Sequence, residues 1–230
     1  MSAIPRRERL IVALDVPTAA EARKLVERIG DAACFYKIGL ELFSADGYFA
    51  LADWLAKRGN KVFADLKLHD IPETVRRATA NLARSGATFL TVHGQRPVME
   101  AAARDKGAMK ILAVTVLTSV GPEDLAEMKL GLDELVLARA RGALETGCDG
   151  VIASPLEAAK IKSQLKKLLV VTPGIRAAAG QDDQKRTADA AGAFAAGADY
   201  IVVGRPVRDA ADPRAAAEAI QKTIAAAFRA

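Results

Sequence analysis

The chain is poor in the residues that build disulfide frameworks, metal sites and aromatic platforms: two cysteines, two histidines, one tryptophan and 5% aromatics in 230 residues. Cys34 lies in an apolar run and Cys148 in "ETGCDG", with neither a C-x-x-C pair nor a metal-ligand spacing, so two buried, reduced thiols are expected. No basic stripe interleaved with aromatics exists on which nucleic-acid bases could stack, so no nucleic-acid partner is expected. No apolar run approaches the roughly 18 to 20 residues that a membrane span needs. The start "MSAIPRRERL" also lacks the apolar region of a signal peptide, so a cytoplasmic protein without a membrane partner is expected.

What is present is largely aliphatic residues and alanine, within a 51% hydrophobic fraction. The net charge of +5 comes from basic residues spread along the chain and mixed with acidic ones, which fits a solvated helical surface suited to a small anionic substrate. Short apolar runs recur at 10–16, 34–39, 61–67, 88–94, 110–117, 149–154, 168–175 and 200–206. Between them lie segments such as "PTAAEARKLVERIG" and "IPETVRRATANLARSGA", with apolar residues at helical spacing and glycine near the end. Eight strand–helix repeats predict parallel strands with right-handed crossovers, closing into a (β/α)8 TIM barrel. An open doubly wound sheet is the competing architecture. No linker or low-complexity tract divides the chain, so residues 1–230 are expected to form a single domain.

The stretch "FADLKLHDIP" (63–72) places charges where a buried strand should be apolar. Strand parity puts Asp65 and Lys67 on the barrel's inner face above Phe63, with Leu66 and Leu68 turned toward the helices. The same parity brings Asp15 and Lys37 to the ends of the first two strands, so three adjacent strands deliver charge to the carboxyl-end mouth, where barrels of this type carry their active sites. An isolated buried charge costs several kcal/mol or more, and Lys37, Asp65, Lys67 and Asp70 form a balanced set of two positive and two negative groups. A structural ion-pair network is the alternative to a site. After the eighth strand, Gly204 and Arg205 of "YIVVGRP" suit phosphate, through close backbone approach and a forked guanidinium, although ordinary turn chemistry also explains them. The segment "PGIRAAAGQDDQKR" exceeds the usual loop of about two to six residues and reads as a lid, with Gln184 and Arg186 as polar contacts, or else as an inert surface loop. His69 and His93 have no metal-ligand spacing and are read as structural histidines.

With these residues assembled, the sequence resembles the orotidine 5'-monophosphate decarboxylase family over nearly its whole length. The resemblance rests on "ALDV" with Asp15, "YKIG" with Lys37, "FADLKLHDIPET", "TVLTS", "VTPGIR", "DDQKR" and "VVGRP", in that order. It implies decarboxylation of orotidine 5'-monophosphate to uridine 5'-monophosphate and carbon dioxide, the last step of de novo pyrimidine synthesis, with no metal or organic cofactor. Lys67 would protonate C6, within a charge array of Lys37, Asp65, Lys67 and Asp70. Asp70 and Thr74 would serve the partner's site in a homodimer. Asp15 would bind the ribose, Ser119 and Pro173 the pyrimidine, and Gln184, Gly204 and Arg205 the phosphate, with Lys37, Thr118 and Arg176 as further substrate ligands. The loops "HGQRPVM" and "KRTADA" depart from the family's usual pattern, which bears on loop packing and lid shape. Two other readings stand beside this one: a magnesium-dependent sugar-phosphate barrel enzyme carrying the same D-x-K-x-x-D motif, and a non-catalytic barrel that senses uridine monophosphate.

Overall fold

The computed structural model describes residues 4–120, 131–175 and 188–228. Its strands are β1 (Leu10–Ala13), β2 (Phe35–Gly39), β3 (Lys61–Leu68), β4 (Phe89–His93), β5 (Lys110–Val114), β6 (Gly150–Ile152), β7 (Leu169–Thr172) and β8 (Tyr200–Val203). All are parallel, and they pair in sequence order with β8 returning to β1, so the sheet closes into a barrel. The eight expected strands are therefore all present. Most stop earlier than the apolar runs do, and in several the residues just past the strand end line the mouth, as Asp15 does beyond β1.

The helices in chain order are α1 (Ala19–Ile29), α2 (Leu40–Ser44), α3 (Tyr48–Lys57), α4 (Pro72–Arg84), α5 (Arg96–Arg104), α6 (Leu132–Glu145), α7 (Pro155–Gln164), α8 (Ala190–Ala195), α9 (Arg205–Arg208) and α10 (Pro213–Ala227). Local chemistry sets their ends. Thr18 caps α1 by accepting the Glu21 N–H at 3.2 Å, and Gly30, at φ +61°, stops it with a backbone that a side chain rarely adopts. Asp212 caps α10 in the same way, with Pro213 preset for the first helical position. Ala22, Leu25, Val26 and Ile29 of α1 recur at the helical period and are buried, so one stripe of the helix seals against the strands.

Period-two alternation divides the strand residues between two cores. Tyr36, Ile38, Leu66, Leu90, Val92, Ile111 and Val170 join the helices in the outer core, while Ile11, Phe35, Phe63, Phe89, Leu112, Val171 and Tyr200 fill the barrel. Four aromatic rings plug the amino-terminal part of the interior: Phe89 lies 5.0 Å from Phe35, 5.8 Å from Phe63 and 5.1 Å from Tyr200 between ring centroids. This plug leaves the carboxyl end as the place where the interior opens. Of the two cysteines, Cys148 is buried and Cys34 is half-buried; both are free thiols, and burial pushes both upward in pKa, Cys148 to about 11.

Candidate active site

One step above the aromatic plug, the inward positions of the first three strands change from apolar to charged. Lys37 follows Phe35 on β2, Asp65 follows Phe63 on β3 and Asp15 follows Ala13 beyond β1. Lys37 Nζ donates to Asp15 Oδ1 at 2.8 Å and lies 3.4 Å from Asp65 Oδ2, and Lys67 Nζ donates to Asp65 Oδ1 at 2.9 Å. The result is a row of alternating sign, Asp15, Lys37, Asp65, Lys67. It has no net charge, which is how side chains as enclosed as Lys37 and Asp65 (11% and 12% exposed) remain ionised.

Burial alone would raise the Asp65 carboxyl, but Lys37, Lys67 and hydrogen bonds from Lys67 and Thr91 outweigh it and hold its pKa below the ordinary value. Burial likewise pulls Lys37 down, and Asp65 and Asp15 reverse that and raise it. The pair is thus locked as carboxylate and ammonium.

Parity correctly put Asp65 and Lys67 together and turned Leu66 and Leu68 toward the helices, yet β3 is not a regular strand there. Against β4 the register runs Phe63 to Phe89 and Ala64 to Leu90, then jumps to Leu68 opposite Val92. Three residues, Asp65, Leu66 and Lys67, therefore face the single Thr91, a β-bulge of the kind found beside active sites. Lys67 has φ +47°, the only positive φ of a non-glycine among the described residues, at a cost of about 1–3 kcal/mol. Thr91 accepts the displaced Lys67 N–H at 2.9 Å and donates its hydroxyl to Asp65 Oδ1 at 2.8 Å.

The array opens into a cavity of about 480 Å³. Ala13, Phe63, Val114, Ile152 and Val202 supply apolar lining from the barrel interior, and Asp15, Lys37, Asp65 and Lys67 supply the charged wall. Thr118 lines it from beyond β5, Pro173 and Gly174 from beyond β7, and Gly204 and Arg205 from beyond β8. Gly39 lies close against the array: a Cβ there would come 3.1 Å from Lys37 Nζ, so the ammonium would have to shift by a few tenths of an ångström to admit it.

Seven of the expected residues, with Lys67 among them, thus meet at one cavity besides Thr118: Asp15, Lys37, Asp65, Pro173, Gly204 and Arg205 complete the group. Ser119 is exposed and stands outside the cavity lining. Asp70 does not join the array within this chain. It is exposed past the end of β3, and its carboxylate accepts the Ile71 N–H at 2.6 Å. Thr74, in the first turn of α4, is exposed as well. Arg176 and Gln184, with Arg186 and most of the expected lid, lie outside the described residues.

Two site residues escaped the sequence reading. Thr91 could have been found as the polar residue at an inward position of "TFLTVHG". Arg208 follows Arg205 by three residues in "GRPVR"; it lines the cavity, donates to the Asp15 carbonyl at 2.8 Å and forks onto Asp209. His69 and His93 stack with centroids 4.7 Å apart. Burial, then His69, Arg139 and Lys67, keep the His93 pKa below its ordinary value. Among the described residues no three His, Cys, Asp or Glu side chains are grouped so as to hold a metal ion.

Fold and cavity together define a (β/α)8 barrel with a cavity at the carboxyl ends of its strands, walled by paired lysines and aspartates. The particular family is equally plain: residues 8–220 match the orotidine 5'-phosphate decarboxylase / HUMPS family, and the chain belongs to it. It is 55% identical over 232 residues to an orotidine 5'-phosphate decarboxylase of Methylococcus capsulatus, covering 99% of this chain and 96% of that one. A Rhodopseudomonas palustris orotidine 5'-phosphate decarboxylase is 53% identical over 230 residues, with 97% of each chain covered. The crystal structure of the Lactobacillus acidophilus orotidine 5'-phosphate decarboxylase superposes with a TM-score of 0.83 at 38% identity, over 94% of this chain and 99% of that one.

Proposed function

We propose that the charged cavity is where this chain decarboxylates orotidine 5'-monophosphate, with Lys67 as the proton donor. The reaction gives uridine 5'-monophosphate and carbon dioxide, the final step of uridine monophosphate synthesis. The observation that carries the assignment of roles is the Lys37–Asp65–Lys67 array, two ammonium groups 3.4 and 2.9 Å from one buried carboxylate.

The C6 carboxylate of the substrate leaves as carbon dioxide, and the electron pair of the broken bond stays on C6. The Lys67 ammonium stabilises that developing charge and then donates the proton that completes the product. Asp65, held ionised, orients Lys67 and stands beside the departing carboxylate, and Lys37 fixes Asp65 from its other side. Asp15 takes the ribose hydroxyls, Thr118, Ser119 and Pro173 the pyrimidine side, and Gly204 and Arg205, with Arg176 and Gln184, the phosphate side. The whole chain, 1–230, acts as one catalytic domain.

A second copy of the chain completes the site, with the partner subunit's Asp70 and Thr74 entering the first subunit's cavity. The support is that Asp70 and Thr74 are both exposed and flank Ile71, a large apolar side chain left 68% exposed. The family description also covers HUMPS members, so the test carries a chelator arm.

Loss of orotidine monophosphate absorbance is followed with wild type and Lys67→Ala, each with and without chelator. Wild type turns over at one rate in both conditions, and the variant is slower by about 10²–10⁴-fold or more. Chelator-sensitive turnover overturns this account in favour of a metal-dependent reaction, and an active Lys67→Ala removes Lys67 as proton donor.

A further inference from the structure

We infer that Thr91, on β4, is a positioning residue for the decarboxylation, holding Asp65 and Lys67 in register through a single hydroxyl; this deepens the reading of the site given above and rests on it. Thr91 is fully buried and points into the barrel between Phe89 and His93 of its strand, yet it is absent from the cavity lining, so it stands behind the charged wall.

A hydroxyl has one proton to give and lone pairs to receive with. Thr91 uses both: it donates to Asp65 Oδ1 at 2.8 Å and accepts the Lys67 backbone N–H at 2.9 Å. The same Asp65 oxygen receives Lys67 Nζ at 2.9 Å, so Thr91 closes a ring that runs from the lysine's backbone to its own ammonium.

The ring follows from the bulge. Where β3 advances from Ala64 to Leu68 while β4 advances only from Leu90 to Val92, the regular ladder is interrupted and the Lys67 amide needs an acceptor from elsewhere. The Thr91 side chain provides it, at the one described non-glycine residue with a left-handed backbone. A valine of nearly the same shape would leave that amide without its acceptor and the carboxylate short of one donor. The ammonium would then be aimed less tightly at the reacting carbon, although every group that touches the substrate remains.

The test compares wild type, Thr91→Val and Thr91→Ser in steady-state decarboxylation of orotidine monophosphate, with uridine monophosphate binding measured for each. Thr91→Val is expected to lose about 10- to 100-fold in kcat, the scale of a misplaced reacting group. KM and uridine monophosphate affinity should stay within about threefold. Thr91→Ser keeps the hydroxyl and should retain kcat within about threefold. Because Asp65 loses a donor to its charged form, the acid limb of the Thr91→Val kcat profile should move to higher pH, which a defect of packing alone would not cause. Should Thr91→Val not fold, Thr91→Ser and Thr91→Ala make the same comparison of hydroxyl against none. Full kcat in Thr91→Val, equal losses in the variants with and without the hydroxyl, or an unmoved acid limb overturns the inference. A wild type that does not consume orotidine monophosphate overturns the function itself, and Thr91's role falls with it.

Discussion

Asp65 and Lys37 show how a barrel can keep two charges where it otherwise keeps phenylalanine. Each would be neutral if buried alone, and each is ionised because the other is beside it, with Lys67 and Asp15 extending the row. The linkage to stability has opposite signs for the two. The Asp65 pKa is lowered from 3.8, so its contribution is complete above that value and disappears as the pH falls through the lower, folded value. The Lys37 pKa is raised from 10.5, so its contribution is complete below that value and is lost as the pH rises through the higher, folded value. Denaturant unfolding of wild type and Asp65→Asn across pH should therefore show a stability gap that is steady near neutrality and narrows below 3.8. A gap unchanged down to the acid transition would mean that Asp65 is not held ionised by its neighbours.

Among the elements, β3 carries the most information. Its β2 side is regular from Phe35–Lys61 to Gly39–Asp65, whereas its β4 side slips, so the strand is a scaffold on one edge and a shaped site on the other. The helices answer to local rules far from this chemistry. In α10 the Asp212 carboxylate accepts the Ala215 N–H at 3.0 Å, and the helix packs on α1, α8 and α9. Asp212→Ala should cost about 1 kcal/mol of stability, with a fall in Tm of about 2–4 °C by thermal scan. Its kcat should match wild type, since no residue of α10 lines the cavity. A large loss of activity would instead show that α10 governs the mouth through α9.

For the whole molecule, the unoccupied role is that of Asp70. Its exposure beyond β3 fits work in a neighbouring subunit, and a shared site has a consequence that a self-contained one lacks. In a mixed dimer of Lys67→Ala and Asp70→Ala chains, one site receives both substitutions and the other receives neither. Mixing the two inactive variants under conditions that allow subunit exchange should restore about a quarter of wild-type activity per chain. If each variant is inactive alone and the mixture stays inactive while exchange is shown to occur, Asp70 acts within its own subunit.

Fold class and most of the candidate site were legible because period-two alternation and strand–helix repetition are properties of the chain itself. Eight apolar runs announced eight strands, and charged residues at inward parity announced a mouth. Asp15, Lys37, Asp65 and Lys67 could thus be placed together before any coordinates. What sequence could not settle depends on two strands at once. The bulge exists only as a mismatch between β3 and β4, and Thr91 and Arg208 acquire roles only through neighbours 24 and 193 residues away. Asp70 lies past the end of β3 with its carboxylate turned to the Ile71 N–H, so it belongs to the motif in sequence but does not touch the array within its own chain. The chain by itself determined which residues face inward, since a strand alternates whatever surrounds it. The tertiary structure alone decided which charges touch, because closure and register of the barrel set those distances.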